Sequence, residues 1–296
     1  MSASCASHNC SIIEQNPLIP LYLCPILRHA MATSVNISQA LTGPIASEQI
    51  GQIDNPSSRN NQDFALINKT FESIASAVEG ITDGSTIMVG GFGTAGMPSE
   101  LIDALIDTGT RDLTIISNNA GNGEVGLAAL LKAGSVRKVV CSFPRQSDSY
   151  VFDELYRAGK IELEVVPQGN LAERIRAAGS GIGAFFSPTG YGTLLAEGKE
   201  TREIDGRQYV LEMPLHADFA LIKAHKGDRW GNLIYRKAAR NFGPIMAMAA
   251  KTAIAQVDQI VELGELDPEH IITPGIFVQR VVAVTGAAAS SIANAV

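Results

Sequence analysis

The chain has 296 residues, 46% of them hydrophobic, and a formal net charge of −7. That size and apolar content allow one large domain or two small ones around a sizeable core. The acidic balance speaks against nucleic acid as a partner, and the sequence has no run of roughly 18 apolar residues to span a membrane.

Residues 1–65 differ from the rest, with no lysine and only two arginines, Arg28 and Arg59. The apolar stretch Pro17–Leu27 is broken by prolines, and the only charge before it is Glu14, so it fits neither a secretory signal nor an Arg-rich presequence. Residues 1–65 are expected to be a disordered or non-native extension. The reading adopted is that Leu66 is the native start, initiated as methionine; the rival is a genuine flexible tail. Mass spectrometry of the native N-terminus tests this, and a native peptide from residues 30–60 would overturn it. Of the cysteines Cys5, Cys10, Cys24 and Cys141, only Cys141 lies in the part patterned like a folded domain. That is no disulfide framework and points to a reducing, cytoplasmic setting.

From residue 66 helix and strand patterns alternate. Lys69–Glu79 carries Phe71, Ile74, Ala75 and Val78 at helical spacing. Asp83-Gly84 is a turn before a strand at Ser85–Val89. Pro98 suits a first helical turn, followed by the stripe Leu101, Ile102, Leu105 and Ile106. Strands follow at Asp112–Ser117, Val136–Ser142 and Ile161–Val166, interleaved with helices at Val125–Leu131, Ser149–Ala158 and Leu171–Ala178. This alternation predicts a parallel sheet covered on both faces.

The second part changes character. Asp205-Gly206 inside Arg202–Met213 signals a β-hairpin. Phe219–Ala224 reads as a strand, Gly227–Asn232 as a turn into Leu233–Tyr235, and Ile245–Ala250 as a short helix. Thr252–Val257 and Gln259–Val261 read as strands, and Ile276–Val284 is a further apolar run. The fold class expected is α/β, an open, mostly parallel sheet with flanking helices and β-hairpin additions, in one domain over residues 66–286. Residues 287–296 are expected to form a flexible tail.

Gly90–Gly96 reads GGFGTAG and contains Gly91-x-Gly93-x-x-Gly96, the spacing of a dinucleotide fingerprint. That fingerprint needs an acid about 20 residues on to hold a ribose. The next strand instead ends Ser117-Asn118-Asn119-Ala120-Gly121, and no Walker lysine is present. The glycines still let a ligand approach the main chain, and a helix opening at Pro98 aims backbone N–H groups toward the loop. The other strand ends carry Ser142-Phe143-Pro144-Arg145-Gln146 and Pro167-Gln168-Gly169-Asn170. Ligands of open α/β sheets sit at the carboxyl ends of the strands. Asn118, Asn119, Arg145, Gln146 and Gln168 are therefore candidates to converge. Amides and one guanidinium suit holding an oxyanion rather than attacking a carbonyl. Cys141 lies in an apolar strand and reads as core. Glu124 is the best local carboxylate, yet reads as a solvated acid. His216-Ala217-Asp218 is at most half a metal site, and no metal is expected.

The motifs GGFGTAGMP, SNNAG, ELEVVPQGNLAERIRAAG, SPTGYGT, GDRWGN and ARNFGP resemble the alpha subunit of two-subunit 3-oxoacid CoA-transferases, from about Leu66 to Val284. SFPRQSDSYVFDELYRAGKIELE is most similar to the 3-oxoadipate branch, which serves aromatic-compound degradation, while the acetoacetate branch shares the core motifs. The resemblance implies a ping-pong transfer through a glutamyl-CoA thioester, the catalytic glutamate residing on a beta subunit. It implies that Gly90, Gly91, Phe92, Gly93, Thr94, Ala95 and Gly96 contact CoA. It implies that Gln168 supports the oxyanion and that Asn118 and Asn119 are active-site positions. The implied substrates are succinyl-CoA and 3-oxoadipate, with coenzyme A as a thioester substrate and no tightly bound cofactor. Arg145 is expected to meet a distal carboxylate. Two further readings stay open: an NAD-dependent oxidoreductase, and a non-catalytic CoA- or sugar-phosphate-sensing module.

Overall fold

The computed structural model describes residues 67–284. The expected extension 1–65, Leu66, and residues 285–296 with the expected tail lie outside them. The strands are β1 (Thr70–Phe71), β2 (Thr86–Val89), β3 (Leu113–Ile116), β4 (Val136–Cys141), β5 (Glu162–Val165), β6 (Phe185–Ser187), β7 (Thr201–Ile204), β8 (Arg207–Glu212), β9 (Ala217–Asp228), β10 (Leu233–Ile234), β11 (Ala250–Val261) and β12 (Arg280–Ala283). The helices are α1 (Ile74–Val78), α2 (Ser99–Asp107), α3 (Leu127–Lys132), α4 (Tyr150–Arg157), α5 (Gln168–Gly179) and α6 (Gly243–Ala249).

The main sheet runs β1-β12-β11-β9-β2-β3-β4-β5, parallel throughout, with β10 added antiparallel to β9. The alternation of side chains along each strand builds two cores. Ile87, Val89, Ile115, Val139 and Cys141 face α1 to α4 in one cluster. Met88, Ile116 and Val140 face α5 and α6 in the other. Strands buried on both faces explain the continuous apolar runs. A small antiparallel sheet, β6-β8-β7, carries the expected hairpin, whose Asp205 and Gly206 both adopt positive φ (51° and 74°). Among the described residues no helix is long and apolar enough to cross a membrane.

The sheet order places the site. From β2 the chain adds β3, β4 and β5 on one side, then returns to lay β9 on the other. The junction of β2 and β9 is thus the topological switch point where ligands of open α/β sheets bind. β9 pairs Leu221 with Val89, then runs on to Asp228 past the end of β2. Gly90 to Gly96 follow β2 at that step.

Several elements differ from the expected ones. Lys69–Glu79 is not one helix: β1 and the short α1 share it, split at Ser73, whose side chain caps α1 by accepting from Ser76 N (3.1 Å). β11 is one strand, because Asp258 within it faces His225 of β9 (3.0 Å) and so finds a partner. α5 begins at Gln168, three residues before the expected start. Ile276–Val284 is a 3₁₀ turn, Gly275–Phe277, followed by β12.

Candidate active site

The glycine loop is folded on itself and clamped. Phe92 and Ala95 exchange backbone hydrogen bonds of 3.0 and 3.2 Å, making a tight turn with the Phe92 ring exposed at its tip. Gly90 N donates to Leu221 O of β9 (2.9 Å). Asn241 holds the loop from outside. Its Oδ1 accepts from Gly91 N (3.1 Å) and Phe242 N (2.7 Å), and its Nδ2 donates to Ala95 O (2.9 Å) and Ala238 O (2.7 Å). Gly91 sits at φ 129° and Gly96 at 73°, both unfavourable for side-chain-bearing residues. A Cβ on Gly96 would also lie 2.5 Å from Ala239 O, so the loop and the 3₁₀ turn Lys237–Arg240 meet backbone to backbone.

The helix start behind the loop is less open to an anion than expected. Ser99 N donates to Met97 O (3.0 Å), and Leu101 N donates to the buried Gln256 Oε1 (3.3 Å). Gln256 Nε2 in turn donates to Glu100 Oε2. The first turn of α2 therefore spends N–H groups within the protein.

On the other flank of the loop three amides gather. Asn118 and Asn119 follow β3 and are almost fully buried, each 3% exposed. Asn118 Oδ1 accepts from Gln168 Nε2 (2.7 Å) and Ser142 Oγ (2.8 Å). Its backbone O accepts from Ser142 N and Phe143 N, which ties the end of β3 to the end of β4. Asn119 Oδ1 accepts from Gly121 N (2.8 Å), a local Asx turn. The Nδ2 groups of both asparagines make no hydrogen bond among the described residues, yet no fully enclosed side-chain N or O atom there lacks a partner. These amide nitrogens therefore open outward from otherwise buried side chains. One N–H of Gln168 is taken by Asn118 and the second is free. The arrangement offers convergent neutral donors at the ends of β3 and β5, held by Ser142 of β4's end. Such donors suit a carbonyl oxygen that gains charge.

Arg145 and Gln146 are engaged elsewhere. Arg145 Nε donates to Asp153 Oδ1 on α4, and its guanidinium lies 5.7 Å from the Tyr156 ring centroid. Gln146 Oε1 accepts from Asn122 Nδ2, while its N–H donates to Ser149 Oγ (2.9 Å). Neither candidate nucleophile is prepared to attack. Burial pushes the Cys141 thiol up to about 12. Glu124 is exposed and hydrogen-bonded to Lys132 (2.9 Å), and the bonds from Lys132 and then Tyr150 hold its carboxyl below the usual range. Asp218 accepts from Thr86 N (3.0 Å) and Lys251 Nζ (2.9 Å), so its carboxylate serves the strand bottoms at the opposite end of the sheet.

Asn241, Ser142 and Gln256 were not among the candidates that the sequence offered. ARNFGP stands out as a motif, but nothing local tells that its asparagine reaches back to Gly91. GDRWGN proves to be a turn device: Asp228 accepts from Trp230 N, Asn232 N and Asn232 Nδ2 at 2.8–3.0 Å.

Comparison with known proteins gives consistent results. The coenzyme A transferase family matches residues 71–284. The alpha subunit of 3-oxoadipate CoA-transferase from Pseudomonas putida is 94% identical over 231 residues, covering 78% of this chain and 100% of that protein. The protein of the same name from Acinetobacter baylyi is 68% identical over 226 residues, 76% of this chain and 99% of its own. Among solved structures, the apoenzyme of an acyl-CoA transferase from Escherichia coli O157:H7 superposes with a TM-score of 0.64 at 25% identity, covering 74% of this chain and 47% of that one.

Proposed function

The chain belongs to the coenzyme A transferase family, and we propose that it is the alpha subunit of a two-chain enzyme moving CoA from succinyl-CoA to 3-oxoadipate. The products are succinate and 3-oxoadipyl-CoA. The 94% identity to the Pseudomonas putida protein, over that protein's whole length, carries the substrate assignment.

The reaction divides between two chains. The beta subunit supplies a glutamate carboxylate, which attacks the thioester carbonyl of succinyl-CoA, forming a mixed anhydride and releasing the CoA thiolate. The thiolate attacks the glutamyl carbonyl, giving glutamyl-CoA and free succinate. 3-Oxoadipate then reverses both steps with its own carboxylate, regenerating the glutamate. Each addition places negative charge on a former carbonyl oxygen. The residues of this chain answer that charge. Gln168 offers its free N–H, Asn118 fixes the Gln168 amide through the 2.7 Å bond, and the outward Nδ2 groups of Asn118 and Asn119 add donors. No proton is transferred by these groups, so neutral amides suffice. The loop Gly90–Gly96 receives the thioester arm against its exposed main chain. Arg145 already has a carboxylate partner in Asp153, which leaves the substrate's distal carboxylate to another cation.

Steady-state transfer assays with co-expressed beta subunit, using succinyl-CoA with 3-oxoadipate or acetoacetate, test the assignment. A higher kcat/KM for 3-oxoadipate is expected. A preference for acetoacetate would reassign the acceptor.

A further inference from the structure

Beside the glycine loop, on the flank away from the three amides, lies an open cleft of about 430 Å³ lined by Phe92, Ala95, Lys237, Ala238, Arg240 and Asn241. Two of its side chains are exposed cations. Lys237 and Arg240 make no ion pair or side-chain hydrogen bond among the described residues. Most other lysines and arginines there do, Arg145 included. Lys237 also adopts φ 50°, a left-handed backbone that is uncommon for lysine. Such conformations persist where surrounding structure enforces them, and they cluster at functional sites. Here Asn241, bonded to both the glycine loop and Ala238 O, does the enforcing.

We infer that Lys237 and Arg240 bind the distal carboxylate of the dicarboxylate substrates and so select them over monocarboxylate 3-oxoacids. The inference rests on the transferase reading above. Its geometry follows from the strand order. The amides follow β3 and β5, the glycine loop follows β2, and the cations lie on the β9 side of that loop. With neighbouring strands about 4.8 Å apart, the asparagines at the end of β3 and the cations are on the order of 10 Å apart. That separation matches a six-carbon diacid whose reacting carbonyl meets the amides while long Lys and Arg side chains reach for its far end. Two cations on one carboxylate give charge-assisted bonds that a methyl ketone terminus cannot make. The apolar Phe92 ring and Ala95 and Ala238 methyls fit the intervening methylenes. Succinyl and 3-oxoadipyl groups occupy the same place in turn, so one pair of cations serves both half-reactions.

The test uses the complex with its beta subunit, comparing wild type with Lys237→Met, Arg240→Met and the double variant. Arg236→Met, an exposed neighbour outside the cleft lining, controls for general loss of charge. For each single variant the KM for 3-oxoadipate, and for succinate in the reverse direction, is expected to rise about 3- to 10-fold, and for the double variant on the order of 10- to 50-fold. The KM for acetoacetate should stay near its wild-type value, so the preference for the diacid collapses. Arg240→Lys should restore part of it. A second probe, Ala238→Glu, sets a carboxylate in the cleft and should raise the KM for diacids selectively. Equal losses for 3-oxoadipate and acetoacetate, or no change in any KM, would overturn the inference. A rise confined to succinyl-CoA with free acids unaffected would also overturn it, assigning the cations to CoA phosphates. Failure of the wild-type complex to turn over 3-oxoadipate at all would instead remove the functional reading itself.

Discussion

Replacing Asn241 by alanine removes four hydrogen bonds at once: those to Gly91 N, Phe242 N, Ala95 O and Ala238 O. Two of these join the glycine loop to the 3₁₀ turn Lys237–Arg240. At about 1 kcal/mol for each bond, partly offset where water can replace Asn241, the loss is about 2–4 kcal/mol. For a domain of this size that lowers Tm by about 5–15 °C. The catalytic cost follows from displacement of the loop, and a shift of about 1 Å in a positioned group can lower kcat/KM by up to 100-fold. Thermal unfolding of the purified complex, with urea titration to check that the m-value is unchanged, measures the first effect. Transfer kinetics measure the second. Asn241→Asp sharpens the test. It keeps the acceptor for Gly91 N and Phe242 N but turns a carboxylate oxygen toward Ala95 O and Ala238 O. It should therefore resemble the alanine variant rather than the wild type. A Tm within about 2 °C of wild type together with normal kinetics in the alanine variant would refute the reasoning, since not even two of the four bonds would then be worth anything.

Gln168→Ala should lower kcat by about 100- to 1,000-fold with a smaller change in KM, as expected when one oxyanion donor is lost; near-normal turnover would remove Gln168 from the mechanism. Ser142→Ala should reduce kcat less, because it withdraws one of the two donors that hold Asn118 Oδ1, and kinetics beside an unchanged Tm would separate positioning from folding. Cys141, with its thiol pushed up to about 12, should resist thiol-specific reagents in the native state and react on unfolding; fast native labelling would contradict its burial. Asp218 is held below its ordinary value of 3.8 by the Thr86 N–H and then by Lys251. A depressed carboxyl contributes stability above its unfolded value, and that contribution is lost as pH falls through the lower folded value. The Tm gap between wild type and Asp218→Asn should therefore be widest near neutral pH and close in strong acid; a gap that widens on acidification would reverse the sign.

The half of the sheet from β2 to β5 was legible because its strands follow local rules. Ile87, Ile115 and Val139 sit in short apolar runs between helices with clear stripes, and chain order equals spatial order across those four strands. Legibility failed where pairing is non-local. β1 has two residues and exists only because Thr70 and Phe71 pair with Val281 and Val282, a contact that no window of sequence contains. Asp258 reads as a strand break until His225, Lys223 and their register supply its partners. At the site, residue types pointed correctly to strand ends, since Asn118 and Gln168 do meet across β4. Arg145 and Gln146 share those loops but turn to α4-side partners, Asp153, Asn122 and Ser149, which spacing alone does not reveal. Asn241 lies 150 positions from Gly91 and is joined to it only because β9 returns beside β2.

The division of labour between donors here and a nucleophile on the partner chain is tested most directly by intact-mass spectrometry. The complex with its beta subunit is incubated with succinyl-CoA alone, without acceptor, and the chains are separated under acid. The account predicts a CoA adduct, formed with loss of water, on the beta subunit, with none on this chain. A CoA adduct on this chain that disappears in Glu124→Gln would contradict it, and would make Glu124 the attacking carboxylate.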